Sequence, residues 1–193
     1  MMKSCLISIL VSLVSFTAAW GQASGTQVTE TDSTLTLRNS KVRVEFPKGE
    51  AFDISKLTLN GKELVLSKGY NTVPWTLTYK GPQGENPVLF PSHGEYAGWA
   101  KTTKDGHVAI AFKWNMRLTY QDLVPVVMTV SLPGDSELAY WDIQAGTPDG
   151  WLVSNTQFPR ITVTRPDKAK LITSAGWGAE YNLSNPQVYT SSY

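Results

Sequence analysis

Between residues 108 and 116 the chain alternates without exception: Val108, Ile110, Phe112, Trp114 and Met116 occupy one phase, Ala109, Ala111, Lys113 and Asn115 the other. Successive side chains of a strand point to opposite faces, so this pattern specifies a β-strand with one face in an apolar core. The same period runs through most of the chain. Leu35 and Leu37, the break at Asn39-Ser40, then Val42, Val44 and Phe46 predict a first hairpin. Leu57 and Leu59 lead into Asn60-Gly61 and on to Leu64 and Leu66. Asn-Gly accepts the positive backbone angles of a two-residue hairpin turn. Val124 to Leu132 and Leu138 to Ile143, joined by the turn formers Pro133-Gly134-Asp135-Ser136, predict an antiparallel pair. Ser154 to Thr164 and Lys170 to Thr173 predict further strands with a turn at Arg165-Pro166-Asp167 between them, and Gly81 to Pro91 reads as a long surface loop. About ten strands without an intervening helical pattern imply an all-β fold, an antiparallel two-sheet β-sandwich.

The N-terminus follows a different rule. Lys3 precedes a twelve-residue apolar run from Cys5 to Phe16, with small residues at Thr17, Ala18 and Ala19. That run is well short of the roughly 20 residues of a membrane-spanning helix and matches a cleavable signal peptide over residues 1–23. An exported chain, destined for periplasm, cell surface or medium, is the expectation. Cys5 is the only cysteine; it lies before the apolar run, where a lipid anchor does not fit. The remaining residues 24–193 suit one domain, held by its apolar core without disulfides. They carry 16 basic and 16 acidic residues with no basic cluster, which argues against a nucleic-acid partner.

No catalytic signature stands out: the chain has no Gly-x-Ser-x-Gly elbow, no His-Glu-x-x-His pair and no phosphate-binding glycine loop, and nothing calls for a cofactor or a metal. His93, within Pro91-Ser92-His93-Gly94-Glu95-Tyr96, is the histidine most open to function, and His107, after Asp105-Gly106, reads as a solvated turn residue. Glycoside hydrolysis uses two carboxyl groups, one to protonate the leaving oxygen and one to attack or activate water. Glu95, Asp142, Asp149 and Glu180 are scattered candidates, each also readable as an exposed loop acid. Tryptophans are more suggestive, because an indole face is a rigid platform for a sugar ring. Trp114 and Trp141 fall inside alternating strands and read as core, whereas Trp99, Trp151 and Trp177 lie beside glycines or turn residues. Trp177 leads this group: Gly176 and Gly178 allow close approach, and Glu180 and Tyr181 follow. The competing reading is that these residues cover a sheet edge or pack on a neighbouring domain.

The order of these features carries a resemblance. The stretch Val-Pro-Val-Val-Met-Thr-Val-Ser-Leu-Pro-Gly-Asp-Ser-Glu-Leu-Ala-Tyr-Trp-Asp-Ile, then Phe158-Pro159-Arg160-Ile161, then Gly176-Trp177-Gly178, resembles the N-terminal galactose-mutarotase-like β-sandwich of large secreted glycan-degrading enzymes of the Bacteroidetes type, over residues 33 to 193. The resemblance implies a glycoside hydrolase-associated domain that precedes a C-terminal catalytic barrel, so the chain would be part of a longer protein. It implies carbohydrate as partner and assigns no catalytic residue here. The mutarotase arrangement, a histidine pair with a later glutamate, does not map onto His93, His107 and Glu180. The expected role is a non-catalytic or accessory carbohydrate-binding sandwich. The alternatives are a stand-alone sugar epimerase or lyase using His93 and an acid, and a structural cell-surface protein.

Overall fold

The alternation seen in the sequence builds a ladder of antiparallel strands in the computed structural model, which describes residues 25–48, 53–64, 66, 73–120, 122–161 and the backbone of 170–173 and 179–182. A first sheet runs in chain order through β1 (Gln27–Glu30), β2 (Thr34–Arg38), β3 (Val42–Pro47), β4 (Lys56–Leu59) and β5 (Lys62–Leu64). A three-stranded sheet follows, with β6 (Thr76–Lys80) between β7 (Val88–Leu89) and β12 (Leu152–Gln157). The largest strands form a sheet ordered β11-β10-β9-β8, from β8 (Gly94–Lys104), β9 (His107–Arg117), β10 (Leu123–Leu132) and β11 (Tyr140–Ala145). A separate hairpin pairs β13 (Lys170–Thr173) with β14 (Ala179–Asn182). Among the described residues the one helical element is a single 3-10 turn at Pro91–His93, and no helix is long and apolar enough to cross a membrane.

The expected inward row on β9 is inward: Ile110, Phe112, Trp114 and Met116 are buried, as are Leu35, Leu37, Val42, Val44 and Phe46 of the first sheet. These residues share one core with Leu77, Tyr79 and Leu89 of the three-stranded sheet, so the β8–β11 sheet is one layer and the other two sheets form the layer facing it. Aromatic rings stitch the layers together. Phe46 meets Phe112 at 4.8 Å and Trp141 at 6.2 Å, Trp75 meets Trp114 edge-on at 5.5 Å, and Trp141 meets Phe158 at 6.3 Å. Such tilted and edge-on pairs contribute beyond their burial alone.

Turn chemistry sets the register. Asn60 and Gly61 have φ of 49° and 74°, as the Asn-Gly pair requires, and Leu59 pairs with Lys62. The same device joins β8 to β9: Asp105 and Gly106 have φ of 51° and 80°, and Lys104 pairs with His107. His107 therefore opens β9 and is not the solvated turn residue that the sequence suggests. β11 starts at Tyr140 instead of Leu138, because the Ser136 hydroxyl accepts a hydrogen bond from the Leu138 amide (3.0 Å) and draws that segment out of the ladder. The Gly81–Pro91 loop contains the short strand β7, and residues 94–96, also expected in a loop, open β8.

β8 holds an irregularity with consequences for side-chain direction. Tyr96 pairs with Trp114 and Gly98 with Lys113, so Ala97 is an extra, bulged residue, and Gly98 has φ of 108°. The insertion shifts the alternation by one residue, turning Trp99 toward the core opposite Phe112 instead of toward solvent.

A second close fit lies where β10 starts. Gly146 donates its amide to the Pro125 carbonyl (2.8 Å), and a Cβ at 146 would stand 2.6 Å from Pro125 Cδ. The proline ring cannot swing aside. Gly146→Ala should therefore lower stability by about 1–3 kcal/mol, as overpacking does. Chemical denaturation measures it, and an unchanged midpoint would show that the backbone yields freely there.

Candidate functional site

His93, Trp99 and Trp151 lie on or beside different elements. His93 is exposed on the 3-10 turn with its ring against Phe90. Trp99 is half-buried and faces inward from β8. Trp151 is half-buried just before β12, its amide donating to the Pro148 carbonyl (3.0 Å), and its indole lies where a Cβ on Gly81 would meet it. Trp177 lies outside the described residues. Glu180 and Tyr181 are placed on β14 opposite Ile172 and Leu171, with side chains outside the described set. Asp149 is exposed in the turn between β11 and β12.

Glu95 and Asp142 do not pair. Glu95 is in register with Asn115 and Pro125, whereas Asp142 is in register with Thr129 on the far edge of the same sheet. Three strand spacings and four residues along the strand separate their backbones by about 20 Å. Two carboxyls that cleave a glycosidic bond stand roughly 5–10 Å apart. Among the described residues, no group of three or more His, Cys, Asp or Glu side chains could hold a metal ion.

Register does assemble a constellation that sequence reading missed, on the face of the β8–β11 sheet turned away from the core. Lys104 and His107 sit beside one hairpin turn, and Tyr140 and Asp142 alternate on β11 with the inward Trp141 and Ile143. Lys104 Nζ lies 3.7 Å from Asp142 Oδ2, and the rings of His107 and Tyr140 are parallel within 8° at 6.2 Å. The ion pair constrains the shape of the sheet. In a flat sheet the two backbones would be about 20 Å apart, whereas the two extended side chains and the gap between them span about 14 Å. The pair can close because a twisted sheet departs from that flat arrangement along the diagonal. His107 and Tyr140 lean together along the same diagonal. Beneath them Ala109 is 0% and Ser131 2% exposed, a floor of small residues under four long side chains.

Asp142 is not fully satisfied. Its Oδ1 is buried without a hydrogen-bond partner among the described residues, an arrangement that costs about 1–3 kcal/mol when nothing compensates. Tyr140 keeps 51% of its surface open beside it. The signal for this group was present in the alternation Tyr140-Trp141-Asp142-Ile143, but its partners lie more than thirty residues away and only the strand order brings them together.

The shifted titrations are both tyrosines of the interior. Burial raises the phenol of Tyr79, which donates to the Gly146 carbonyl (2.8 Å). Burial raises Tyr96 further, and the Glu30 carboxylate adds to it. A raised folded-state value means that stability is fully present below the ordinary phenol value of 10.0 and is lost as pH climbs through the folded values. Melting temperatures should accordingly begin to fall once pH exceeds about 10, with less loss in Tyr96→Phe. Equal losses in the variant and the parent would refute the assignment.

Comparison with known proteins adds one finding. The chain is 34% identical over 190 residues to a protein of Bacteroides thetaiotaomicron named "Putative glycoside hydrolase". The match takes in 97% of this chain but spans 28% of that relative's length. No protein-family model matches the chain, and no solved structure does.

Proposed function

We propose that this chain is an accessory, glycan-associated β-sandwich of a glycan-degrading protein, which contacts carbohydrate or supports an adjacent glycoside hydrolase domain. The observation that carries the reading is the match of nearly the whole chain to a stretch of about a quarter of a longer protein named for glycoside hydrolysis. The separation of Glu95 from Asp142 supports an accessory role over a catalytic one. A galactose-mutarotase-like relation, export on the leader at residues 1–23, and a glycan contact through Trp177, Glu180 and Tyr181 belong to the same reading.

Affinity electrophoresis in gels containing single polysaccharides tests it. Retardation by at least one glycan is expected, together with no release of reducing ends by the purified chain. Trp177→Ala should weaken the retardation if that segment makes the contact. Turnover by the chain alone would sink the accessory role.

A further inference from the structure

The outer face of the β8–β11 sheet has the makings of a ligand surface built from described residues. We infer that Tyr140, Asp142, Lys104 and His107 form a subsite for a neutral pyranose ring, an assignment that rests on the glycan-associated reading above.

Three observations converge on this chemistry. The first is the aromatic surface: Tyr140 is half exposed although it lies on a paired strand, and its ring is parallel to that of His107. A flat, rigid ring open to solvent suits the C–H face of a sugar, giving contact area at little entropic cost. The second is the unmet accepting capacity of Asp142. Lys104 is near Oδ2 at 3.7 Å, beyond hydrogen-bond distance, while Oδ1 has no partner among the described residues. Rotation of the carboxylate presents either oxygen to a hydroxyl donor, and the Lys104 ammonium has protons to give to a neighbouring hydroxyl. Vicinal hydroxyls of a pyranose supply that combination. The third is the charge balance. One lysine and one aspartate cancel, so the surface offers no net attraction to a uronate or a sulfated sugar, and a neutral ring leaves the ion pair in place.

The shape agrees with the chemistry. Ala109 and Ser131, buried beneath the four long side chains, leave room for them to lie over the sheet along the diagonal from Lys104 to Asp142. A bulky residue at either position would push the four side chains apart.

Isothermal titration calorimetry of the full chain provides the test, with neutral gluco-, xylo- and galacto-configured oligosaccharides as probes and an oligogalacturonide as the acidic control. The expected result is binding of at least one neutral oligosaccharide. It should weaken at least tenfold in Tyr140→Ala and in Asp142→Asn and be retained in Tyr140→Phe, which keeps the ring. Amide chemical-shift changes in the parent protein provide a readout that needs no variant: they should centre on Ala109, Ser131, Tyr140 and Asp142. Neutral-sugar binding with shifts elsewhere, and with both variants binding as the parent does, would overturn this subsite while leaving the glycan-associated reading intact. A parent protein that binds none of the probes would remove glycan contact itself, and the subsite with it. Preference for the oligogalacturonide would overturn the neutral assignment.

Discussion

Phe46→Ala should cost about 3–5 kcal/mol, the range for deleting a buried phenylalanine. Phe46 is fully buried on β3 and touches both Phe112 of β9 and Trp141 of β11, so its ring is a direct connection between the two layers. Alanine would lose the transfer energy of the ring and leave a cavity, and the walls of that cavity belong to different sheets, which limits collapse. Urea denaturation should show a lower midpoint at an unchanged slope. Phe46→Leu, which refills most of the volume, should recover a large part of the loss. A cost below about 1 kcal/mol for the alanine variant would mean that the layers do not rest on this ring, since full-depth core truncations are rarely so mild.

Asn39→Ala should come next in size, at about 2–4 kcal/mol, although the side chain is only half-buried. Asn39 Oδ1 accepts from the amides of Lys41 (2.8 Å) and Val42 (2.6 Å), which closes its own turn. Its Nδ2 donates to the carbonyls of Pro133 (2.6 Å) and Ser136 (2.8 Å) in the β10–β11 connection. One amide thus fastens a turn of the first sheet to a turn of the opposite layer, and alanine strands all four backbone partners at once. Asn39→Asp separates the two jobs. It preserves the acceptors for the local turn but sets a carboxylate against two carbonyl oxygens, so it should destabilise at least as much as alanine. An aspartate variant as stable as the parent would show that the bonds across the layers contribute nothing.

Most of the architecture could be read from the residues because burial and alternation coincide where strands are regular. β9 and the β2–β3 hairpin carry their bulky residues in one phase, and the Asn60-Gly61 turn has a stereochemical cause. β8 escaped because two of its eleven residues are glycine and the Ala97 bulge breaks its period midway. Trp99 reads from the sequence as a residue beside a glycine in a loop, whereas it lies on β8 and the bulge turns it inward. β6 escaped although Trp75, Leu77 and Tyr79 alternate with Thr76 and Thr78, because the run is short, and β7 has only two residues to carry a period. The outer-face group illustrates a different limit. His107 and Asp142 each attracted notice singly, but Lys104 and Tyr140 did not, because the group exists only through the pairing of four strands. Chemistry that depends on the neighbour across a sheet cannot be read from spacing along one strand.

The Ala97 bulge has a further effect, on the company this protein keeps. Among the described residues β8 is the last strand of its sheet, and eleven residues of unpaired peptide edge would be an open invitation to a second copy. The kink at Ala97-Gly98 interrupts the straight row of amides and carbonyls that an incoming strand would have to match, and Lys101 and Lys104 put positive charge along the remainder. A single inserted residue therefore both turns Trp99 toward the hydrophobic interior and breaks the regular edge that a second copy would have to match.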